Sequence, residues 1–229
     1  PAMDDQGLNV LKKRVTFRSG KLTLEGILHT FDVAEPRPGV VVCHPHPLFG
    51  GSMHNLVVAN VCEELARKGI VALRFNFRGV EGSQGSHGEG VDEIADVEAA
   101  VDCVVSLPNS DATRVGVTGY SFGCFVGLKA AAQDERVGAV VGISPPLSKY
   151  DFSFLRGYAR PKLLLAGERD ELIPSTEEFT RFVEGLPEPK RFEILSSADH
   201  YWLGFERRVA TRLADFFADV FKVWQLRAS

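Results

Sequence analysis

Long hydrophobic runs are absent from this sequence of 229 residues. No stretch approaches the roughly 20 consecutive apolar residues that a helix needs to span a bilayer, and the first residues lack the apolar segment of a secretion signal. A basic excess is also absent, since 26 Lys and Arg face 30 Asp and Glu, for a net charge of -4. We therefore expect neither a membrane partner nor a nucleic-acid partner.

Cysteines are few and do not form C-x-x-C pairs. The four are Cys43, Cys62, Cys103 and Cys124, all within apolar stretches. This pattern predicts buried free thiols in a reducing compartment, which we expect to be the cytoplasm. A Gly/Ser-rich or Pro-rich linker is missing as well, so residues 1–229 are expected to form one domain, with Pro1 and Ala2 as the remnant of a cleaved expression tag.

Short apolar segments alternate with segments of helical periodicity along most of the chain. The opening "RVTFRSGKLTLEGILHTF" alternates apolar and polar residues around Ser19 and Gly20, which predicts an antiparallel hairpin. The later alternation predicts an α/β fold: a mostly parallel, twisted sheet of about eight strands with helices on both faces.

An apolar stripe follows helical spacing near the end of the chain. Its members are Leu213, Phe216, Phe217, Val220, Phe221 and Trp224. Packing of this stripe on the sheet is the favoured interpretation, and a dimer surface is the alternative, so both a monomer and a homodimer stay open.

The segment "RVGVTGYSFGCFVG" places Ser121 in a G-x-S-x-G pattern between a predicted strand and a predicted helix. A serine in such a tight turn projects its hydroxyl beyond the carboxyl edge of the sheet, where α/β proteins bind their ligands. Gly119 and Gly123 lack the Cβ atoms that would collide where strand and helix cross. This context predicts that Ser121 is a nucleophile rather than part of an ordinary turn.

A serine nucleophile needs a base, and the base needs an orienting carboxylate. Only one of the six histidines, His200, follows Ser121 in the chain, and it comes just after the apolar strand "RFEIL". The carboxylate should follow the preceding strand, "KLLLAG", where Glu168, Asp170 and Glu171 are all candidates. Composition does not choose among these three.

These motifs resemble the α/β-hydrolase superfamily, in which nucleophile, acid and histidine follow one another in this order. The resemblance covers nearly the whole chain and is greatest to small, lid-less bacterial serine hydrolases and esterases with an "HPHP...GG" loop, relatives of the dienelactone hydrolases. It implies an α/β-hydrolase fold without a lid domain, and the G-x-x-D pattern from Gly167 favours Asp170 as the acid. Dienelactone hydrolase activity is not implied, because this chain has serine where those enzymes have cysteine.

Two backbone N–H groups should stabilise the oxyanion of a tetrahedral intermediate. The first belongs to Phe122, and the second to the loop "HPHPLFGG", in which the prolines have no N–H to offer. His46, Leu48 and Phe49 remain. The H-G-x-P pattern of the resembling enzymes favours His46, with Leu48 as the alternate. His44 and His46 could also suggest a metal site, but the loop lacks further ligands, and we expect no metal.

The sequence thus predicts a carboxylesterase that cleaves small or short-chain carboxylic esters through an acyl-enzyme on Ser121, without a cofactor. Aromatic side chains near the predicted site are expected to contact substrate, namely Phe49, Tyr120, Tyr150, Phe152 and Trp202. The same residues would serve a thioesterase, lactonase or amidase. A binding protein with a silent triad is the alternative from another functional class.

Overall fold

A computed structural model describes residues 3–5, 7 and 9–223 of the chain. The predictions about Pro1, Ala2 and Trp224 concern residues outside this set. None of the helices in the described part combines the length and the apolar character that crossing a bilayer requires.

Eight strands form a single sheet in the order β1-β2-β4-β3-β5-β6-β7-β8. The strands are β1 (Val10–Ser19), β2 (Leu22–Phe31), β3 (Arg37–Cys43), β4 (Val71–Phe75), β5 (Ser110–Tyr120), β6 (Val137–Ile143), β7 (Lys162–Arg169) and β8 (Lys190–Asp199). β1 and β2 form the antiparallel hairpin, and β2 pairs antiparallel with β4. All pairs from β4 to β8 are parallel. The predicted fold class is therefore confirmed.

Helices cover both faces of the sheet. They are α1 (Leu56–Arg67), α2 (Glu93–Val105), α3 (Phe122–Gln133), α4 (Thr176–Glu184) and α5 (Glu206–Val220). α1 and α5 pack in one apolar core, and α2, α3 and α4 pack in a second core on the opposite face. The stripe of α5 packs on the sheet side, since Leu213, Phe216 and Phe217 are buried in the first of these cores.

Strand β5 runs into α3 with only Ser121 between them. An added Cβ on Gly119 would lie 2.1 Å from the carbonyl oxygen of Gly123, and one on Gly123 would lie 2.4 Å from the carbonyl oxygen of His44. These backbone groups cannot move apart without separating α3 from the ends of β3 and β5. The two glycines therefore hold the nucleophile turn against the loop that follows β3.

His44 ties that loop to the segment after β4. Its Nδ1 lies 2.6 Å from the carbonyl oxygen of Pro45, and its Nε2 accepts the N–H of Phe77 at 3.1 Å. Only the neutral ring with its proton on Nδ1 makes both bonds, because a second proton on Nε2 would face the N–H donor. Burial lowers the pKa of His44 to about 4. The side chain thus holds the loop in its neutral form.

The first prediction concerns Gly123. Gly123→Ala should lower the free energy of unfolding by on the order of 3 kcal/mol, because the methyl group meets backbone rather than a flexible side chain. Urea unfolding followed by tryptophan fluorescence measures the change. The matched control is Gly138→Ala, where the nearest atom to an added Cβ is 3.8 Å away. Equal losses in the two variants would contradict this account of the turn.

The second prediction concerns pH. A histidine that is neutral in the folded state costs stability as pH falls below its ordinary pKa of 6.5, until the folded-state pKa of about 4 is reached. His44 should therefore remove about 2 kcal/mol of stability between pH 7 and pH 5. The free energy of unfolding of His44→Gln, measured at pH 7 and at pH 5, should differ less between the two pH values than that of the unsubstituted protein, whatever the absolute stability of the variant.

The exposed His54 provides the control for this measurement. His54→Gln should keep the pH dependence of the unsubstituted protein, since the only ion pair of His54 among the described residues is an exposed one with Glu81, and such pairs contribute little. Some acid sensitivity should remain in all three proteins from His29, whose pKa burial lowers to about 3. An undiminished loss of stability between pH 7 and pH 5 in His44→Gln would rule out the proposed role of the neutral ring.

Candidate active site

The predicted site residues lie at the carboxyl edge of the parallel sheet. His44 and His46 follow β3, Ser121 follows β5, Asp170 follows β7 and His200 follows β8. Because parallel strands end at the same edge, four segments that are distant in sequence meet there.

Ser121 has an unfavourable backbone conformation for a residue with a side chain. Its φ is 56° and its ψ is -117°, and its N–H donates to the carbonyl oxygen of Ile143 at 2.9 Å. Such conformations cost about 1–3 kcal/mol and occur where the surrounding structure enforces them. The turn directs the Ser121 hydroxyl to the imidazole of His200, with Oγ 2.9 Å from Nε2.

Asp170 is the carboxylate that reaches the histidine. Its Oδ1 lies 2.8 Å from Nδ1 of His200, and the side chain of Asp170 is fully buried. The N–H of Leu172 also donates to this oxygen at 3.0 Å. Glu168 instead accepts the N–H of Ser197 at 2.8 Å, and Glu171 is exposed. The structure therefore brings together Ser121, His200 and Asp170, the three residues predicted to be catalytic.

Most of the backbone N–H groups in the loop after β3 already donate hydrogen bonds to acceptors within that loop. Leu48 donates to Nδ1 of the His46 ring at 3.2 Å, whereas Phe49 and Gly51 donate to the carbonyl oxygen of His46 at 3.1 and 3.0 Å. Within the described residues, the N–H groups of His46 and Phe122 have no acceptor. Leu48, the alternate oxyanion donor, is thus occupied. The geometry favours His46 and Phe122.

The imidazole of His46 packs among aromatic rings beside the nucleophile. Its centroid lies 4.7 Å from that of Phe122 and 4.9 Å from that of Phe49. Desolvation, followed by the charge of nearby His87, lowers the pKa of His46 below its ordinary value. A neutral His46 ring keeps Nδ1 available to hold the Leu48 N–H, which fixes the loop.

A cavity of about 650 Å³ opens beside these groups. Ser121, His200, His46 and Phe122 all line it, as do Phe49, Tyr120 and Tyr150. Tyr120 also donates its hydroxyl to the carbonyl oxygen of His200 at 2.7 Å, which fixes the loop after β8. Three of the five aromatic residues predicted to contact substrate therefore lie in the cavity wall.

The other two, Phe152 and Trp202, lie outside this wall, and the prediction that they contact substrate is corrected. Phe152, in the segment between β6 and β7, is buried and packs against Phe125 and Phe154. Trp202 is fully buried and donates its indole N–H to Oγ of Ser144 at 3.0 Å. Both aromatic rings serve core packing instead of lining the cavity.

Outside the loop "HPHPLFGG", sequence reasoning missed five cavity residues: Asn55, Pro146, Lys149, Leu172 and Tyr201. Three of them lie within two residues of a predicted site residue, since Lys149 precedes Tyr150, Leu172 follows Asp170 and Tyr201 follows His200. That adjacency was the available signal, but no motif marks these positions.

Three of the four ring nitrogens of His44 and His46 are engaged in hydrogen bonds. Both ring nitrogens of His44 are engaged by Pro45 and Phe77, and Nδ1 of His46 accepts the Leu48 N–H. Across residues 3–5, 7 and 9–223, no group of three or more His, Cys, Asp or Glu side chains could hold a metal ion.

Comparison with known proteins places this arrangement in a family. A model of the family described as X-Pro dipeptidyl-peptidase (S15 family) matches residues 26–181, more than half of the chain. An uncharacterised protein of Rickettsia prowazekii, RP471, is 35% identical over 72% of this chain and 72% of its own length. Several further curated relatives match over less than half of their own length.

Solved structures share the fold over nearly the whole chain. An alpha-beta serine hydrolase homologue from Coxiella burnetii is 28% identical with a TM-score of 0.79, covering 94% of this chain and 98% of that one. XC6422 from Xanthomonas campestris, described as an a/b serine hydrolase without lid, is 28% identical with a TM-score of 0.76, covering 93% and 94%. From the family match and these lid-less neighbours, the chain belongs to the S15 family and is a serine hydrolase of the α/β-hydrolase superfamily.

Proposed function

We propose that the protein is a carboxylesterase that cleaves small or short-chain carboxylic esters through an acyl-enzyme on Ser121. The observation that carries the proposal is the continuous hydrogen-bonded path from Asp170 through His200 to Ser121, with contacts of 2.8 and 2.9 Å. This path ends at a cavity lined by His46 and Phe122, whose backbone N–H groups have no acceptor among the described residues. A binding protein would have no need for a strained serine aligned with a histidine and a buried acid.

In the proposed reaction, Nε2 of His200 takes the proton of Ser121 as the hydroxyl oxygen bonds to the ester carbonyl carbon. Asp170 accepts the Nδ1–H of His200 and stabilises the imidazolium that forms. The N–H groups of His46 and Phe122 stabilise the negative oxygen. His200 then gives its proton to the leaving alcohol as the carbon–oxygen bond breaks, and water repeats the sequence on the acyl-enzyme.

The cavity wall favours an ester over the dipeptidyl substrate in the family's name. Release of a dipeptide requires recognition of a free, positively charged amino terminus, for which a carboxylate is the natural partner. No described residue in the wall of this cavity is Asp or Glu. The same active-site chemistry extends to thioesters, lactones and amides, whose rates of hydrolysis relative to matched esters distinguish these activities from that of a carboxylesterase.

The cysteines support the cytoplasmic location that we include in the proposal. All four are free, and Cys43, Cys62 and Cys124 are buried. Burial raises the pKa of Cys62 to about 12, so this thiol stays protonated and unreactive. Thiols of this kind suit a reducing compartment.

The third prediction tests the triad. A fluorophosphonate should label the protein with one equivalent on Ser121, because the activated hydroxyl attacks phosphorus as it would a carbonyl carbon. Intact-mass spectrometry and peptide mapping measure the label. Ser121→Ala should abolish it, and His200→Ala and Asp170→Asn should slow ester hydrolysis by about 10³-fold or more.

Glu168→Gln is the matched control for Asp170→Asn, because Glu168 lies two residues before Asp170, at the end of β7, but accepts hydrogen bonds from Ser196 and Ser197. It should keep the labelling rate of the unsubstituted protein within about threefold, as a change away from the reacting atoms should. An intact protein that fails to react at Ser121 would overturn the proposed function.

The fourth prediction concerns chain length. Between β6 and β7 the only helical element is the short 3-10 helix Ser153–Gly157, so the cavity has no cover in the described structure. Carbons that extend beyond the cavity stay in water and do not gain the roughly 0.8 kcal/mol that each buried CH₂ provides. Values of kcat/KM for 4-nitrophenyl acetate and butyrate should therefore exceed the value for the palmitate ester.

Rates for each ester are corrected with Ser121→Ala, which reports spontaneous hydrolysis under the same conditions. Equal or faster turnover of the palmitate ester would show that the enzyme buries long chains, and the short-chain proposal would be wrong.

A further inference from the structure

The wall of the candidate active-site cavity has an unusual charge distribution. Apart from its histidines, the described lining residues include one ionisable cation, Lys149, and no acid. The other lining side chains are apolar, aromatic, amide or hydroxyl groups. Lys149 therefore gives the described part of the cavity wall a positive charge with no acidic neighbour in that wall.

The backbone of Lys149 is fixed relative to the triad. Its N–H donates to the carbonyl oxygen of Pro146 at 2.9 Å, and the preceding Ser148 donates both its N–H and its hydroxyl to the carbonyl oxygen of Leu172. Leu172 in turn donates its N–H to Asp170. The lysine side chain therefore starts from a turn that is hydrogen-bonded to the loop carrying the catalytic acid.

The ammonium group itself has no partner within the described residues. Asp151, two residues further on, uses its carboxylate to accept the N–H and the hydroxyl of Ser153 at 2.8 and 2.7 Å. A solvated lysine without an ion pair can bind an anion without first breaking a protein contact. Lys149 is thus available to a ligand in the cavity.

Lys149 lies on the side of the site expected to hold the acyl group. The leaving alcohol must lie next to His200, which protonates it. Tyr150, which follows Lys149, instead stacks on Phe125 at 4.4 Å and packs against Phe122 at 6.3 Å, beside the donor of the oxyanion hole. Lys149 and Tyr150 line the same cavity, so an acyl chain that extends from Ser121 along Tyr150 would run toward Lys149.

We propose that the preferred substrates are half-esters of short dicarboxylic acids, whose free carboxylate binds Lys149 while Ser121 attacks the ester carbonyl. This inference rests on the proposed esterase function and specifies its substrate class. Such a half-ester is small, which agrees with the proposed short-chain preference. Its free carboxylate provides Lys149 with an anionic partner, which the cavity wall does not contain.

The fifth prediction compares two esters that differ in charge but have similar shape. Mono-4-nitrophenyl adipate is the anionic ester, and 4-nitrophenyl 6-oxoheptanoate replaces its carboxylate with a neutral methyl ketone. Lys149→Met should lower the ratio of kcat/KM for the anionic ester to that for the neutral ester by about three- to tenfold, mainly through KM. Lys149→Arg should retain the ratio, and 0.5 M salt should reduce it in the unsubstituted enzyme, since salt screens exposed charges.

Lys13→Met is the matched control, because Lys13 is an exposed lysine of β1 and does not line the cavity. Its ratio should equal that of the unsubstituted enzyme, and Ser121→Ala again corrects for spontaneous hydrolysis. If both esters are cleaved through Ser121 but Lys149→Met leaves the ratio unchanged, the inference fails while the esterase function stands. If neither ester is cleaved, the proposed function fails and the inference fails with it.

Discussion

The close approach of backbone at the β5–α3 turn is the constraint on which the site depends. Gly119 and Gly123 let the turn pack against the end of β3, and this packing forces Ser121 into its positive-φ conformation. The cost is offset by the core packing of α3 and by the Ser121 bond to β6. Because α3 begins directly after Ser121, the Phe122 N–H belongs to the first turn of the helix, where such groups lack an intrahelical acceptor and the helix dipole favours negative charge.

A second constraint acts in the loop after β3, where Pro45 and Pro47 have no N–H and Leu48, Phe49, Gly50 and Gly51 donate theirs within the loop. The loop closes on itself through the carbonyl oxygens of His46 and Pro47 and the ring of His46, whereas the N–H of His46 has no acceptor among the described residues. The buried His44 joins it to the segment after β4. A donor that is already oriented costs no reorganisation when charge develops on a substrate, which is how such groups lower a reaction barrier.

Sequence reasoning succeeded where the chemistry depends on local order. The turn at Ser121, the position of His200 after a strand and the absence of N–H groups at the prolines are all local properties of the chain. The choice among Glu168, Asp170 and Glu171 is not local, because it depends on contacts between β7 and β8. Trp202 was misjudged for the same reason, since its indole N–H is satisfied by Ser144, 58 residues away. Lys149 carries no motif and became visible only with the cavity.

The burial of Asp170 connects the fold to the chemistry. One of its oxygens, Oδ2, is buried and has no hydrogen-bond partner among the described residues. A carboxylate held this way is poorly solvated while His200 is neutral, and its attraction for the ring strengthens when the ring gains the Ser121 proton. The interaction is therefore stronger in the transition state than in the resting enzyme, and only interactions of that kind accelerate a reaction. By burying Asp170, the fold therefore lets this carboxylate stabilise the transition state in addition to orienting His200.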